Sequence, residues 1–189
     1  SQYHFAVFEY NGVGNAINYL TENPARVNAA TLIGTPSLVS QITSITSITV
    51  KSATVNIFPG NGAQRLILLR KWKPVEVTPE LNKYYSHSLS YGSGSFLADS
   101  TYVILSTFGT GNFTITNLEP LTRYYAKVFE FNSQGDQVAY LLSSTSTATF
   151  FTDGPKITLK ALQQVSFCPN NEIVVPFQAT EGYSIGNRY

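Results

Sequence analysis

This chain makes nearly the same statement twice. Residues 3–12 read Y-H-F-A-V-F-E-Y-N-G, and residues 124–133 read Y-Y-A-K-V-F-E-F-N-S. Laid over each other without gaps, they keep a constant offset of 121 residues, Tyr3 falling on Tyr124. Val7 then meets Val128, Phe8 meets Phe129, Glu9 meets Glu130 and Asn11 meets Asn132. The phase survives a turn and the next extended run, where Gly14 meets Gly135, Tyr19 meets Tyr140, Leu20 meets Leu141 and Thr31 meets Thr152. Solenoid repeats recur every 20–50 residues or so, so this longer period is the spacing of whole domains.

Each copy has one grammar: an alternating run, an Asn/Gly turn, then a second extended run. From Tyr124 to Phe131 apolar and polar residues alternate with period two, as a half-buried strand requires. The turn is expected at 132–135 and the return strand over 138–151, giving an antiparallel hairpin. Upstream, 48–58 alternates and breaks at Pro59-Gly60-Asn61-Gly62. Residues 65–70 enclose Leu66-Ile67-Leu68-Leu69, apolar on both faces, which predicts a central strand. Residues 102–106 and 112–116 are two more strands, separated by Gly109 and Gly111. No segment sustains a helical period. Abundant aromatics, 12 Tyr and 12 Phe, favour pleated surfaces over helices. The fold class is therefore all-β, as tandem antiparallel β-sandwiches.

Gly34-Thr35-Pro36 and Asp153-Gly154-Pro155 mark boundaries. Residues 1–31 are expected to be the last hairpin of a truncated module, 35–152 a complete module and 153–189 the start of a third, with strands at 156–162 and 172–177. A lone hairpin is marginally stable in water, so the end pieces need further strands or packing on the middle module. The chain lacks an initiating Met, so its first residue is expected not to be the natural start.

At Leu118-Glu119-Pro120-Leu121-Thr122-Arg123-Tyr124 the pattern L-x-P-x-T-x-Y resembles the E–F corner of fibronectin type III domains. There a corner tyrosine's hydroxyl bonds back to upstream backbone. The resemblance places Tyr124 at that corner, and Tyr3 in the partial copy. Residues 52–57 resemble the family's second strand, with Ile57 near the position of its usual tryptophan. The run F-G-T-G-N-F-T-I-T-N-L, the Y-G-S-G at 91–94 and the N-Y-L-T at 18–21 resemble type III modules of large secreted proteins of gliding bacteria. That resemblance implies export by the type IX route, a cell-surface location and adhesion. Residues 153–189, with S-F-C-P-N-N-E-I-V-V-P-F, resemble the opening of an immunoglobulin-like module.

Candidate chemistry is sparse. His4 is replaced by Tyr125 in the second copy, which suits a surface strand position. His87 has no nearby Cys or paired carboxylate to complete a metal site. No G-x-S-x-G, H-E-x-x-H or phosphate loop is present, and Gly92-Ser93-Gly94 reads as a turn between strands. No catalytic, cofactor or metal residue is therefore assigned. Glu9 and Glu130 share the inward phase of their strands. Each is either a ligand-binding acid or a carboxylate bonded to turn amides or to an arginine on the neighbouring strand. Residues 72–99 lengthen the middle module and carry Trp72, Tyr84, Tyr85 and Tyr91, which are expected either to present flat faces to a glycan or protein, or to cover the sandwich edge. Asn112-Phe113-Thr114 fits an N-glycosylation sequon, and Asp99-Ser100-Thr101 resembles an O-glycosylation motif of similar secreted proteins. Cys168 is either a buried thiol or the partner of a cysteine outside the chain.

A net charge of +1 gives no electrostatic case for nucleic acid or acidic membranes. No apolar run reaches the roughly 18 residues that span a bilayer. The function expected is a non-enzymatic stalk segment of an extracellular multidomain adhesin, partnered by its neighbouring modules. The alternatives are an accessory module of a secreted enzyme or a carbohydrate-binding module using 72–99.

Overall fold

The computed structural model of the chain describes residues 2–107, 111–161 and 175–179, the side chain of Ala30 excepted. Cys168, Gly109 and residues 172–174 lie outside that range. The chain divides into two compact units, residues 1–34 and 35–189.

The first unit is a bare hairpin. β1 (Gln2–Val7) pairs antiparallel with the fourth strand of the chain, β4 (Ala25–Ala30). Towards the tip, β2 (Tyr10–Asn11) pairs with β3 (Asn18–Tyr19), and a short 3₁₀ turn at Gly14–Ala16 joins them.

The second unit contains an antiparallel β-sandwich. One sheet has three strands: β5 (Gln41–Thr46), β6 (Ala53–Phe58) and β10 (Gly111–Ile115), with β6 in the middle. The other sheet is built on β7 (Gln64–Lys71) and β11 (Arg123–Gln134), which run side by side. β9 (Thr101–Thr107) lies on the far side of β7, and the short β8 (Phe96–Ala98) lies beyond it. The far edge of β11 is shared by two strands in succession: β13 (Ser146–Phe151) along its first half and β12 (Gln137–Tyr140) along its second. β14 (Ile157–Leu159) and β15 (Phe177–Ala179) form a separate exposed pair.

The sequence pattern explains the layering. In β7 every residue from Gln64 to Arg70 is buried, because strands flank it on both edges and side chains cover both faces. Towards the three-stranded sheet, Leu69, Ile104, Tyr124 and Ala126 meet Ala53, Val55 and Ile115. On the opposite face Leu66, Leu68, Phe129 and Phe131 form a second core with Val75 and Tyr85. A sheet buried on both faces shows apolar runs in place of alternation, as β7 does.

Two expectations need correction. The alternating run 48–58 is a strand only from Ala53, because Thr49–Ser52 closes a turn, with the Thr49 amide donating to the Ser52 carbonyl at 2.9 Å. The turn expected at 132–135 comes later: β11 extends to Gln134, which pairs with Gln137 around Gly135-Asp136. Gly135 has φ +57° while Asp136 keeps a negative φ, the sign pattern of a II′ hairpin with glycine first.

The repeat keeps its register over the shared pairs, and the second hairpin then pairs two residues further, at Ser133↔Val138 and Gln134↔Gln137. Gln2↔Ala30 through Val7↔Ala25 map, at the 121-residue offset, onto Arg123↔Phe151 through Val128↔Ser146. Tyr10↔Tyr19 maps onto Phe131↔Tyr140, and Asn11↔Asn18 onto Asn132↔Ala139. Even the connecting bond repeats: the Leu20 amide donates to Glu9 O at 2.8 Å, and the Leu141 amide to Glu130 O at 2.8 Å.

Candidate functional site

Among the described residues Glu130 is the one acid with no exposed surface, and its surroundings decide between the two readings of the repeated glutamate. The strand register places Arg65 directly opposite it, and Arg65 Nε lies 3.4 Å from Glu130 Oε1. The same oxygen accepts the Ser40 amide at 3.2 Å and a short bond from the Ser40 hydroxyl. Ser40 Oγ in turn accepts from Arg65 Nε and from the Gly60 amide, each at 3.1 Å.

The glycines of Pro59-Gly60-Asn61-Gly62 are there for close approach. A Cβ on Gly60 would lie 2.2 Å from Leu38 O, and one on Gly62 would lie 2.5 Å from Glu130 Oε2. Asn61 completes the knot. Its Oδ1 accepts the Ser37 and Leu38 amides at 3.0 and 2.8 Å, and its Nδ2 donates to Ser37 Oγ. The carboxylate thus fastens the leading segment 37–40 to β7 and β11. Ser40 has no exposed surface, so no substrate can reach its hydroxyl. This site is a clamp, the neighbouring-arginine reading of Glu130.

Tyr124 is anchored at a bend. Its hydroxyl accepts the Glu119 amide at 2.9 Å, five residues upstream, and its ring stacks on Phe150 at 5.5 Å. Burial pushes its phenol pKa upward, against the downward pull of the Glu119 amide. Leu121, three residues before the tyrosine, takes φ +48° to make the bend. A second corner of the same plan was missed in the sequence. The Tyr85 hydroxyl accepts the Glu80 amide at 3.0 Å, again five residues upstream, and Asn82 at φ +56° occupies the equivalent left-handed position. The signal was present as Glu80-Leu81-Asn82-Lys83-Tyr84-Tyr85 beside Glu119-Pro120-Leu121-Thr122-Arg123-Tyr124, which share a glutamate five residues before the tyrosine. Tyr3 shares the register position of Tyr124, but its ring is exposed.

The four aromatics of 72–99 do not form one surface, which corrects the expectation of a shared glycan or protein face. Tyr85 is buried in the second core, beside Tyr140. Tyr91 is buried in the first core, edge-on to both Tyr102 and Tyr124, and donates to Ser100 O at 2.7 Å. Burial raises the pKa of Tyr91 and of Tyr140. Only Trp72 and Tyr84 stay exposed, and the Tyr84 hydroxyl is committed to Gly135 O at 2.9 Å. Trp72 takes φ +68°, an unusual conformation for a bulky side chain. The excursion therefore covers the outer face of the larger sheet with Val75 and Tyr85 and fills the inter-sheet core with Tyr91.

The remaining candidates lie apart. His4 pairs across the hairpin with Asn28, Nδ1 to Oδ1 at 2.7 Å, and His87 is exposed. Among the described residues no three His, Cys, Asp or Glu converge as metal ligands. No described helix is long and apolar enough to cross a membrane. Thr114 of the sequon pairs with Thr54 across the smaller sheet at 3.0 Å. Asp99 and Ser100 form the left-handed turn between β8 and β9.

No protein-family model matches the chain, and no curated protein matches it. Solved structures do match. One, from a computer-based redesign of a β-sandwich protein, is 20% identical with a TM-score of 0.40, covering 62% of this chain and 91% of its own.

Proposed function

We propose that this chain is a non-catalytic spacer from a large extracellular protein of tandem fibronectin type III-like modules, a cell-surface adhesin. The observation that carries the reading is the repeat: one hairpin, recurring at domain spacing in the same register, is in its second occurrence the spine of a sandwich. The strand order, with β5, β6 and β10 facing β7, β9 and β11, and the tyrosine corner at Tyr124 support the type III assignment. Both faces of the larger sheet are covered, and β11 is hydrogen-bonded along both edges. Such a module resists extension as a unit and holds a distal part at a distance.

Pulling the chain between residues 35 and 152 tests the mechanical part. The module should open in one force peak that releases about 40 nm of contour, at 3.3–3.6 Å per residue. Gradual lengthening without a peak would count against a spacer. An antibody raised to the chain should label intact, unpermeabilised source cells, and labelling only after permeabilisation would remove the extracellular reading.

The exposed, left-handed Trp72 favours one second reading, contact with a sugar face through its ring. Glycan-array binding by the whole chain that disappears in Trp72→Ala would support it, and a blank array would end it.

A further inference from the structure

We infer that the hairpin of residues 2–30 is a receptor for one additional β-strand, which carries an arginine that pairs with Glu9. This rests on the repeat and not on the spacer reading. In the second copy β11 has β13 and β12 on one edge and β7 on the other. In the first copy β4 and β3 occupy the corresponding edge, and the edge that would face β7 is empty among the described residues. The positions that β7 and its neighbours cover in the second copy are bare in the first. Phe8 is 43% exposed against 0% for Phe129, and Tyr10 64% against 0% for Phe131.

Glu9 specifies the occupant's chemistry. Its counterpart is held by an arginine standing directly across the strand pair. Glu9 itself is exposed, beside an open hollow lined by Tyr10, Asn11, Asn18, Tyr19 and Leu20. A strand that covers Phe8 and Tyr10 would bury this carboxylate, which is costly without a cation and a hydrogen bond. The occupant is thus an antiparallel strand of β7 character: an arginine opposite Glu9, followed by aliphatic residues on both faces.

That strand comes from outside the described residues. Arg26 already lies in β4 of the same hairpin, Arg65 and Arg70 lie in β7, and Arg123 lies in β11. β7 and β11 have strands on both edges, so neither can be lent. A second copy's β1 pairing edge to edge would bring no arginine, because Gln2–Val7 contains none. Edge addition of this kind draws affinity from main-chain hydrogen bonds and specificity from alternate side chains.

The test uses the whole chain and a synthetic peptide with the sequence of residues 63–73, A-Q-R-L-I-L-L-R-K-W-K, followed by hydrogen exchange of residues 2–11. Saturating peptide should slow exchange there roughly tenfold or more. A peptide with glutamate at its first arginine should bind at least about tenfold more weakly. With the Glu9→Arg chain the preference should reverse, the glutamate peptide now protecting. Absence of slowing at about 1 mM peptide overturns the proposal. So does equal slowing by both peptides, which would mean unspecific edge binding. Slowing that grows with chain concentration alone also overturns it, by making a second copy the occupant.

Discussion

Tyr3 and Tyr124 occupy the same register position in two hairpins that share their register, yet Tyr3 is 52% exposed and Tyr124 not at all. The same holds for Val7 against Val128 and Leu20 against Leu141. Pairing is therefore written locally, in the alternation and the Asn/Gly turn. Burial is not. It depends on β7, on the facing sheet and on the 72–99 excursion, all of which only the second copy has. A two-stranded ribbon gains little free energy in water, so register can be specified where stability is not.

Matched substitutions at the 121-residue offset turn that comparison into measurements. The largest difference is expected at the outer core. Phe129→Ala removes a ring enclosed by Leu66, Leu68, Val75 and Tyr85 and should lower the sandwich's unfolding free energy by about 3–5 kcal/mol. Phe8→Ala should change the same urea transition by less than about 0.5 kcal/mol. Equal losses at both positions would mean that the first hairpin is buried in the folded chain.

The clamp comes next. Glu130→Ala leaves Arg65 buried without its carboxylate and Ser40 without its acceptor, and should cost about 3–5 kcal/mol. Glu9→Ala should be within about 0.5 kcal/mol of the parent in the absence of an added strand. A mild Glu130→Ala would show that the leading segment 37–40 is held by Asn61 alone.

The corner bond is smaller. Tyr124→Phe keeps the ring but strands the Glu119 amide, for a loss of about 1–3 kcal/mol, while Tyr3→Phe should be neutral. The buried phenols also set an alkaline limit. Burial raises the pKa of Tyr91, Tyr124 and Tyr140 above the unfolded value near 10. Their contribution is complete below about pH 10 and is lost as pH rises further, because the unfolded chain releases those protons first. Urea midpoints should therefore fall as pH rises above about 10, and less steeply in Tyr91→Phe. An unchanged slope in that variant would place Tyr91 outside the core.

What the sequence disclosed follows the same division between local and distant. Leu66-Ile67-Leu68-Leu69 marked the central strand because continuous apolarity has one meaning between turns. Leu118–Tyr124 marked the corner because all its parts lie within seven residues. β5 was not legible: Gln41–Thr46 is polar, with only Ile42 and Ile45 packed on the core at a spacing of three. For the excursion two readings stayed open, a binding face or a cover for the sandwich edge, because composition carries no facing. Tyr84 and Tyr85 are adjacent and point to opposite fates, one exposed and one in the second core. Glu130's need for a partner was visible in its inward phase. That Ser40, ninety positions away, would be that partner was not, since nothing local encodes which loop folds over a strand end.

The smallest difference concerns the turns, and it separates conformation from contact. Gly14 and Gly135 correspond at the offset, and both have φ +57° with open space where a Cβ would stand. Alanine at either position meets no clash and bears only the left-handed backbone penalty, about 1–2 kcal/mol. In the second copy the turn is coupled to β12, whose Val138 and Tyr140 belong to the outer core. Gly135→Ala should therefore lower the sandwich's stability by about 1 kcal/mol, and Gly135→Asn by less, since asparagine tolerates that region. The same substitutions at Gly14 should leave the urea transition unmoved, because the hairpin that carries Gly14 forms a separate compact unit. If Gly14→Ala shifts that transition as much as Gly135→Ala, the two hairpins fold as one cooperative body and the contrast between them fails.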